Sequence, residues 1–184
     1  RIWSLSDSRM RVPAPFQNPP SRQLPDLPLP AYRHVPGLTR HPRRSAGHSV
    51  DLPEPTCEPL TTHNWMQHQA WLHGVDLFNQ AYWWESHEQW EAAWRQAPSG
   101  DTTHMLQGVI QLGAALIKWN LGNDRGRSGL WQRGRQHLQA MGASSWMGLD
   151  AASLVATADH FFDLYPQPPV VGEVTGPILQ LDLP

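Results

Sequence analysis

Residues 82–120, YWWESHEQWEAAWRQAPSGDTTHMLQGVIQLGAALIKWN, contain two helical patterns separated by a break. Large apolar residues recur at three- and four-residue steps on both sides of Pro98, Ser99 and Gly100, and these three residues cannot continue a helix. Asp101 or Thr102 is predicted to cap the second of the two helices. The stretch therefore predicts two consecutive helices that can form an antiparallel pair.

Three further helices are predicted on either side of this pair. The first spans HNWMQHQAWLHGVDLFNQA, residues 63–81, with Thr61 or Thr62 as its cap. The fourth runs from about Gly126 to Met141, and the fifth begins at Asp150 and ends before PQPP. Since no pair of strands and no repeat is visible, the sequence predicts an all-α fold of about five helices in an antiparallel, bundle-like packing.

The predicted domain division is an arm at residues 1–60, a helical domain at 61–165 and an extended C-terminal tail at 166–184. Most of the 18 prolines lie in the arm, where no helical or alternating period can be sustained. Within it the segment YRHVPGLTRHPRRSAGHS, residues 32–49, is here called the strap. Composition alone favours a basic linker, with an ordered strap on the domain as the alternative.

Charge and cysteine content narrow the functional classes. The formal net charge is −2 and the basic residues are scattered, which argues against nucleic acid and an anionic membrane surface as partners. The single Cys57 excludes an internal disulfide and a cysteine-rich zinc site, and it suits a reducing compartment. With no apolar run near the roughly 18 residues of a membrane span and no signal-peptide pattern, we expect a cytoplasmic protein. Small-molecule and protein partners both stay open.

The second helix places a histidine and a glutamate on one face. On a helical wheel His87 and Glu91 lie one turn apart and are flanked by indoles, so both are expected to be at least partly buried. Glu85 falls at about 160° from His87 and is expected to face water. The indoles of this helix are expected to lie in the core, namely Trp83, Trp90 and Trp94.

The third helix carries one polar stripe on an otherwise apolar surface. His104, Gln107 and Gln111 share this stripe. If the second and third helices pair, the two glutamines would face His87 and Glu91, where neutral amides can orient an imidazole or a carboxylate.

Two interpretations of this polar centre are open. Histidine at one position and a carboxylate four residues later is metal-ligand spacing, with Glu88 then placed as a general base. A third ligand would have to come from elsewhere, and the candidates are His41, His48, Glu85 and His104. In the second interpretation His87 and Glu91 form a buried pair that only fixes the packing of the helix.

The segments GVDLFNQAYWWESHEQWEAAWR, residues 74–95, and LQGVIQLGAALIKWNLGNDRG, residues 106–126, resemble the family called domain of unknown function 309. This family consists of small helical proteins of bacteria, archaea and plastids, and its motif HxxxExxW matches His87, Glu91 and Trp94. The resemblance is close over about residues 65–140. One departure is Ala81, where the family usually has glycine.

The resemblance implies a function without naming a substrate. The motif is suspected of binding metal, and family members have been labelled predicted metal-dependent hydrolases. It supports His87 and Glu91 as the polar centre with Trp94 as packing partner. It also favours an ordered strap, which makes His41 and His48 of interest. We therefore expect a divalent metal at His87 and Glu91 with Glu88 as catalytic base, or alternatively a non-catalytic helical binding or interaction module.

Overall fold

The computed structural model describes residues 14–168 and 174–183. The described part contains a short 3₁₀ turn, five α-helices and one two-stranded antiparallel sheet. Their bounds are Trp65–Gln67 for the 3₁₀ turn, Gln69–Asn79 for α1, Trp83–Trp94 for α2, Asp101–Asn120 for α3, Asp124–Gln139 for α4, Ser145–Trp146 for β1, Leu149–Asp150 for β2 and Ala151–Leu164 for α5. The predicted helix-dominated fold is confirmed.

Consecutive helices pack against one another around an aromatic core. α1 lies against α2, α2 against α3, and α3 against α4. Four indoles are almost completely buried, at most 1% exposed: Trp71, Trp83, Trp90 and Trp119. Each buries a large apolar area, so these side chains dominate the energetics of the core. Trp83 and Trp90 are thus core residues as predicted, whereas Trp94 is only partly buried at the edge of the core.

The first predicted helix is interrupted, and its cap is not a threonine. His68 has extended backbone angles, which separates the 3₁₀ turn from α1, and its Nδ1 accepts the N–H of Trp71 at 3.2 Å. Its Nε2 contacts the carbonyl of Glu58 at 2.8 Å, so the ring is held on both sides. Because this histidine satisfies an N–H at the start of α1, the prediction of Thr61 or Thr62 as cap was wrong. Asp150 caps α5 as predicted, with its carboxylate accepting the N–H of Ser153.

A small hairpin between α4 and α5 was not predicted. β1 and β2 are joined by Met147 and Gly148, both with positive φ, at 49° and 79°. Positive φ at both central residues is typical of a two-residue hairpin turn. Gly148 also allows a close approach, since a Cβ there would lie 2.7 Å from the Trp65 ring. With two residues in each strand, the hairpin is too short to give an alternating pattern in the sequence.

Residues 174–183 of the C-terminal tail contact distant parts of the chain. Leu181 forms a bridge with Leu149, and Val174 forms a parallel bridge with Phe16 of the arm. Leu179 exchanges hydrogen bonds in both directions with the side chain of Asn79 at the end of α1. None of the helices among the described residues is long and apolar enough to cross a membrane.

Candidate functional site

The strap is packed on the helical domain, and its contacts converge on α2. Tyr32, Arg33, His34 and Val35 are all buried, with at most 6% of each residue exposed. A compact turn holds this segment, because Thr39 Oγ1 accepts the N–H of Val35 at 2.9 Å and contacts His34 Nδ1 at 2.9 Å. The strap therefore presents a fixed set of polar groups to the helices.

Glu85 is the acceptor at the centre of this contact. Only 4% of the residue is exposed. Its Oε1 accepts the backbone N–H of His34 at 2.8 Å and lies 3.0 Å from Nε2 of His48. Its Oε2 is buried and has no hydrogen-bond partner among the described residues. The expectation that Glu85 faces water was wrong, because the strap covers the face of α2 that carries it.

Arg33 of the strap carries a buried guanidinium that contacts the α1–α2 turn, α2 and α3. Its Nε donates to the carbonyl of Ala81 at 3.0 Å, and one terminal nitrogen donates to Asn120 Oδ1 at 2.7 Å. The guanidinium lies 5.1 Å from the centre of the Trp83 ring. Burial lowers the pKa of Arg33 to about 10, and the charge of Glu85 partly opposes this shift. A buried charge needs such compensation to remain in a low-dielectric site.

Two further carboxylates of α1 and α2 hold the arm in the same way. Asp76, 2% exposed, accepts the backbone N–H groups of Gln23 and Leu24 at 2.6 and 2.8 Å. Glu88 accepts from Nε of Arg43 at 2.7 Å. Carboxylates that accept backbone N–H groups and guanidinium groups make strong, charge-assisted hydrogen bonds. The acids of α1 and α2 thus act as anchors for the arm.

A cavity of about 720 Å³ lies between the arm and helices α1 and α2. Its walls include apolar residues of the arm and of α1: Pro28, Leu29, Pro30, Leu52, Pro53 and Leu77. Its polar side chains come mainly from the strap and α2: Arg43, His48, His73, Glu85, Glu88 and Gln89. Apolar walls with a few convergent polar groups are typical of a ligand site.

His73, on α1, adds a second buried polar atom without a partner. Its Nδ1 is buried and forms no hydrogen bond to any described residue. Burial lowers the pKa of His73, while Asp76 partly opposes the shift. The ring therefore favours its neutral form, in which one nitrogen donates and the other accepts.

His87 and Glu91 lie at the surface, outside this cavity. The exposed fractions of their side chains are 41% and 34%, and His87 Nε2 is 3.5 Å from Glu91 Oε2. The other oxygen of Glu91 accepts from Arg95 at 3.0 Å. His87 also stacks on Trp84, with 6.3 Å between the ring centres. The structure thus brings the two motif residues together, as an open pair flanked by an arginine and an indole.

The two carboxylates nearest this pair both have arginine partners. Glu91 already pairs with Arg95, and Glu88 already pairs with Arg43, so each carboxylate has a cationic partner. Within residues 14–168 and 174–183, no group of three or more His, Cys, Asp or Glu side chains is placed to hold a metal ion.

The strap histidines lie on two different sides of α2. His41 contacts Trp84, with ring centres 5.4 Å apart, and it lines a small cavity of about 220 Å³ together with Glu88 and Glu91. His48 instead contacts Glu85 and lines the larger cavity. Of the two predicted contributors, only His41 lies near the motif.

The polar stripe of α3 faces α4 instead of His87 and Glu91. The His104 ring packs on His137 of α4 at 5.7 Å between ring centres. A Cβ atom added at Gly134 of α4 would lie 3.0 Å from the Cβ of Gln111, so Gln111 lies against α4. Gln107 shares this face, because on a helical wheel it lies about 40° from Gln111 and about 60° from His104. The expectation that Gln107 and Gln111 face His87 and Glu91 across the α2–α3 interface was therefore wrong.

The residues that form the buried centre have little local signal in the sequence. Glu85 and Ser86 are both buried in α2, but a helical wheel of α2 alone places Glu85 on the side opposite His87, where a carboxylate is expected to face water. Arg33 and His34 lie in an irregular segment without periodicity. Only a contact with the strap, about 50 residues away in sequence, explains why these groups are buried together.

The fold and this buried centre describe a helical domain whose acidic residues anchor a proline-rich arm. Residues 71–130 match the family described as Domain of unknown function (DUF309), which confirms the predicted resemblance over this part of the chain. The matched range includes Asp76, Glu85, His87 and Glu91, whereas the strap lies outside it. A comparison with curated proteins finds none that matches the chain.

Proposed function

We propose that the protein is a binding module whose 720 Å³ cavity takes a small organic cation. The observation that carries this proposal is Glu85 Oε2, a buried carboxylate oxygen with no hydrogen-bond partner among the described residues, in a side chain that lines the cavity. A buried acceptor without a partner costs about 1–3 kcal/mol, and more when it is charged. A ligand N–H group that reaches Oε2 would recover this cost.

The charges around the cavity favour a cation over an anion. Three carboxylates line it, those of Glu54, Glu85 and Glu88, against the single guanidinium of Arg43. Arg43 is already paired with Glu88. The cavity volume lies within the range of roughly 300–1,000 Å³ that holds small organic ligands, and the proline and leucine walls suit an apolar body. The proposed ligand class is therefore an amine or amidine with an apolar body.

The test compares two ligands of nearly the same shape. Benzamidine is a planar cation, and benzamide is its uncharged counterpart. We expect isothermal titration calorimetry to detect benzamidine binding to the full chain and much weaker benzamide binding. Glu85→Gln should weaken benzamidine binding at least about tenfold, because a hydrogen bond to a charged group contributes about 1.5–3 kcal/mol.

A second pair of variants tests the location without touching Glu85. Leu52 lines the cavity and is 60% exposed, so Leu52→Trp should obstruct the cavity and weaken binding. Leu164 on α5 is 57% exposed and lies outside the cavity lining, so Leu164→Trp is the matched control. Equal benzamidine affinity in wild type, Glu85→Gln and Leu52→Trp would contradict the proposal.

A metal-dependent hydrolase is the second candidate, and the family resemblance is its main support. One feature of the structure favours it: His41, Glu88 and Glu91 line the same 220 Å³ cavity, so the arm adds an imidazole beside the motif. A divalent ion there would have to replace Arg43 and Arg95 as the partners of the two carboxylates. In this proposal Glu88 is the catalytic base and His87 and Glu91 are ligands.

Metal analysis of protein purified without chelator tests this second candidate. One bound divalent ion per chain, lost in His87→Ala, would support it. Absence of bound metal in wild type, together with an unchanged melting temperature after addition of EDTA, would contradict it. A cytoplasmic location stays a prediction from the sequence, and a bacterial source is one of the sources that the family resemblance implies.

A further inference from the structure

His104 and His137 form a pair of imidazoles that is separate from the arm and from the family motif. Their Nδ1 atoms lie 3.4 Å apart, and their ring planes are inclined by 39°. Both side chains are partly exposed, so the pair is accessible from solvent. His104 lies in the first turns of α3 and His137 in the last turn of α4.

Two glycines bring these histidines together. A Cβ added at Gly108 would lie 2.5 Å from the Leu138 side chain, and one added at Gly134 would lie 3.1 Å from the Gly108 carbonyl. The backbones of α3 and α4 therefore approach closely at this crossing. Gly108 is one turn after His104, and Gly134 is one turn before His137, so the crossing fixes the separation of the two rings.

The nitrogen separation suits a shared transition-metal ion. Imidazole nitrogens bind Zn²⁺ at about 2.0–2.1 Å, so two of them around a tetrahedral ion lie about 3.4 Å apart. Neither ring forms an ion pair or a hydrogen bond to any other described residue.

We propose that His104 and His137 form a two-histidine site for a borderline divalent ion such as Cu²⁺, Ni²⁺ or Zn²⁺, linking α3 to α4. Imidazole is a preferred ligand of these ions, whereas Mg²⁺ and Ca²⁺ prefer oxygen. Since no third His, Cys, Asp or Glu joins the pair among the described residues, water completes the coordination. The site therefore binds an exchangeable ion rather than a permanently held one.

The test uses Cu²⁺ alone, added to the full chain freed of metal. We expect one ion per chain at this site and an electron paramagnetic resonance spectrum with coupling to two imidazole nitrogens. Loss of a hydrogen-bonding neighbour of a ligand typically costs 10–100-fold in metal affinity, so loss of a ligand should cost at least about tenfold. His104→Gln and His137→Gln should each show this loss, and each should leave coupling to one nitrogen.

His160 supplies the matched control. It is an exposed histidine on α5, so His160→Gln removes one imidazole from the surface and should leave Cu²⁺ affinity unchanged. Circular dichroism checks that each variant is folded. Affinities of His104→Gln and His137→Gln within about twofold of wild type, or unchanged nitrogen coupling in both, would overturn the proposal and leave the pair as a hydrogen-bonded contact.

Discussion

Replacement of Glu85 by alanine should destabilise the protein far more than any other single carboxylate change in α2. Two hydrogen bonds reach its Oε1, from the His34 N–H at 2.8 Å and from the His48 ring at 3.0 Å. Hydrogen bonds to charged groups contribute about 1.5–3 kcal/mol each, and breaking a buried charge pair costs about 3–5 kcal/mol. We therefore expect Glu85→Ala to lower the free energy of unfolding by about 3–5 kcal/mol. The variant also removes the negative charge of Glu85, which favours the charged form of the buried Arg33 guanidinium.

Urea unfolding followed by tryptophan fluorescence measures this change, and Glu91→Ala is the control. Both glutamates lie in α2, so the difference in helix propensity between Glu and Ala affects the two variants equally. Glu91 is 34% exposed and its pairs are at the surface, where such pairs contribute up to about 1 kcal/mol. Glu85→Gln should cost less than Glu85→Ala, because the amide oxygen can still accept the His34 N–H. Similar losses in Glu85→Ala and Glu91→Ala would refute the assignment of Glu85 as the buried anchor.

Two further predictions concern backbone strain and pH. Ala81 has φ 64°, a conformation that costs a non-glycine residue roughly 1–2 kcal/mol, whereas Gly in a helix costs about 1 kcal/mol relative to Ala. Ala81 and Ala93 are both at most 1% exposed, so the two alanines are matched in burial. In urea unfolding, the Ala81→Gly variant should therefore be about 2 kcal/mol more stable than the Ala93→Gly variant. Equal losses of stability in the two variants would contradict the left-handed conformation of Ala81. Burial lowers the pKa of His34, His73 and His137 in the folded protein. The unfolded chain therefore binds more protons than the folded chain as the pH drops. The free energy of unfolding should fall between about pH 7 and pH 5 for this reason. His73→Gln should weaken this pH dependence, and an unaltered slope would argue against a buried neutral ring.

The helices could be predicted because their signals are local. The apolar period of α2 and α3 and the break at residues 98–100 lie within one continuous stretch, and Asp150 precedes its helix as a cap should. The departure from the family pattern at Ala81 falls at an unusual backbone conformation. The family usually has glycine there, and the chain adopts a positive φ at that residue.

The buried centre could not be predicted because its signal is long-range. A helical wheel shows which residues of one helix share a face. It contains no information about a distant segment, such as the strap, that packs on another face of the same helix. For this reason Glu85 was expected to face water. The polar stripe of α3 shows the same limit, since the wheel identified His104 and Gln111 as neighbours but not α4 as the helix that covers them.

The most direct test of this account is a comparison of two double-mutant cycles measured by urea unfolding. One cycle combines Glu85→Gln with His48→Gln, and the other combines Glu91→Gln with His87→Gln. Contacting buried groups typically show coupling of about 0.5–3 kcal/mol, and we expect about 1–3 kcal/mol for Glu85 and His48. The exposed pair should show about 0.5 kcal/mol or less. A larger coupling between His87 and Glu91 than between His48 and Glu85 would contradict the assignment of Glu85 as the polar centre of the fold.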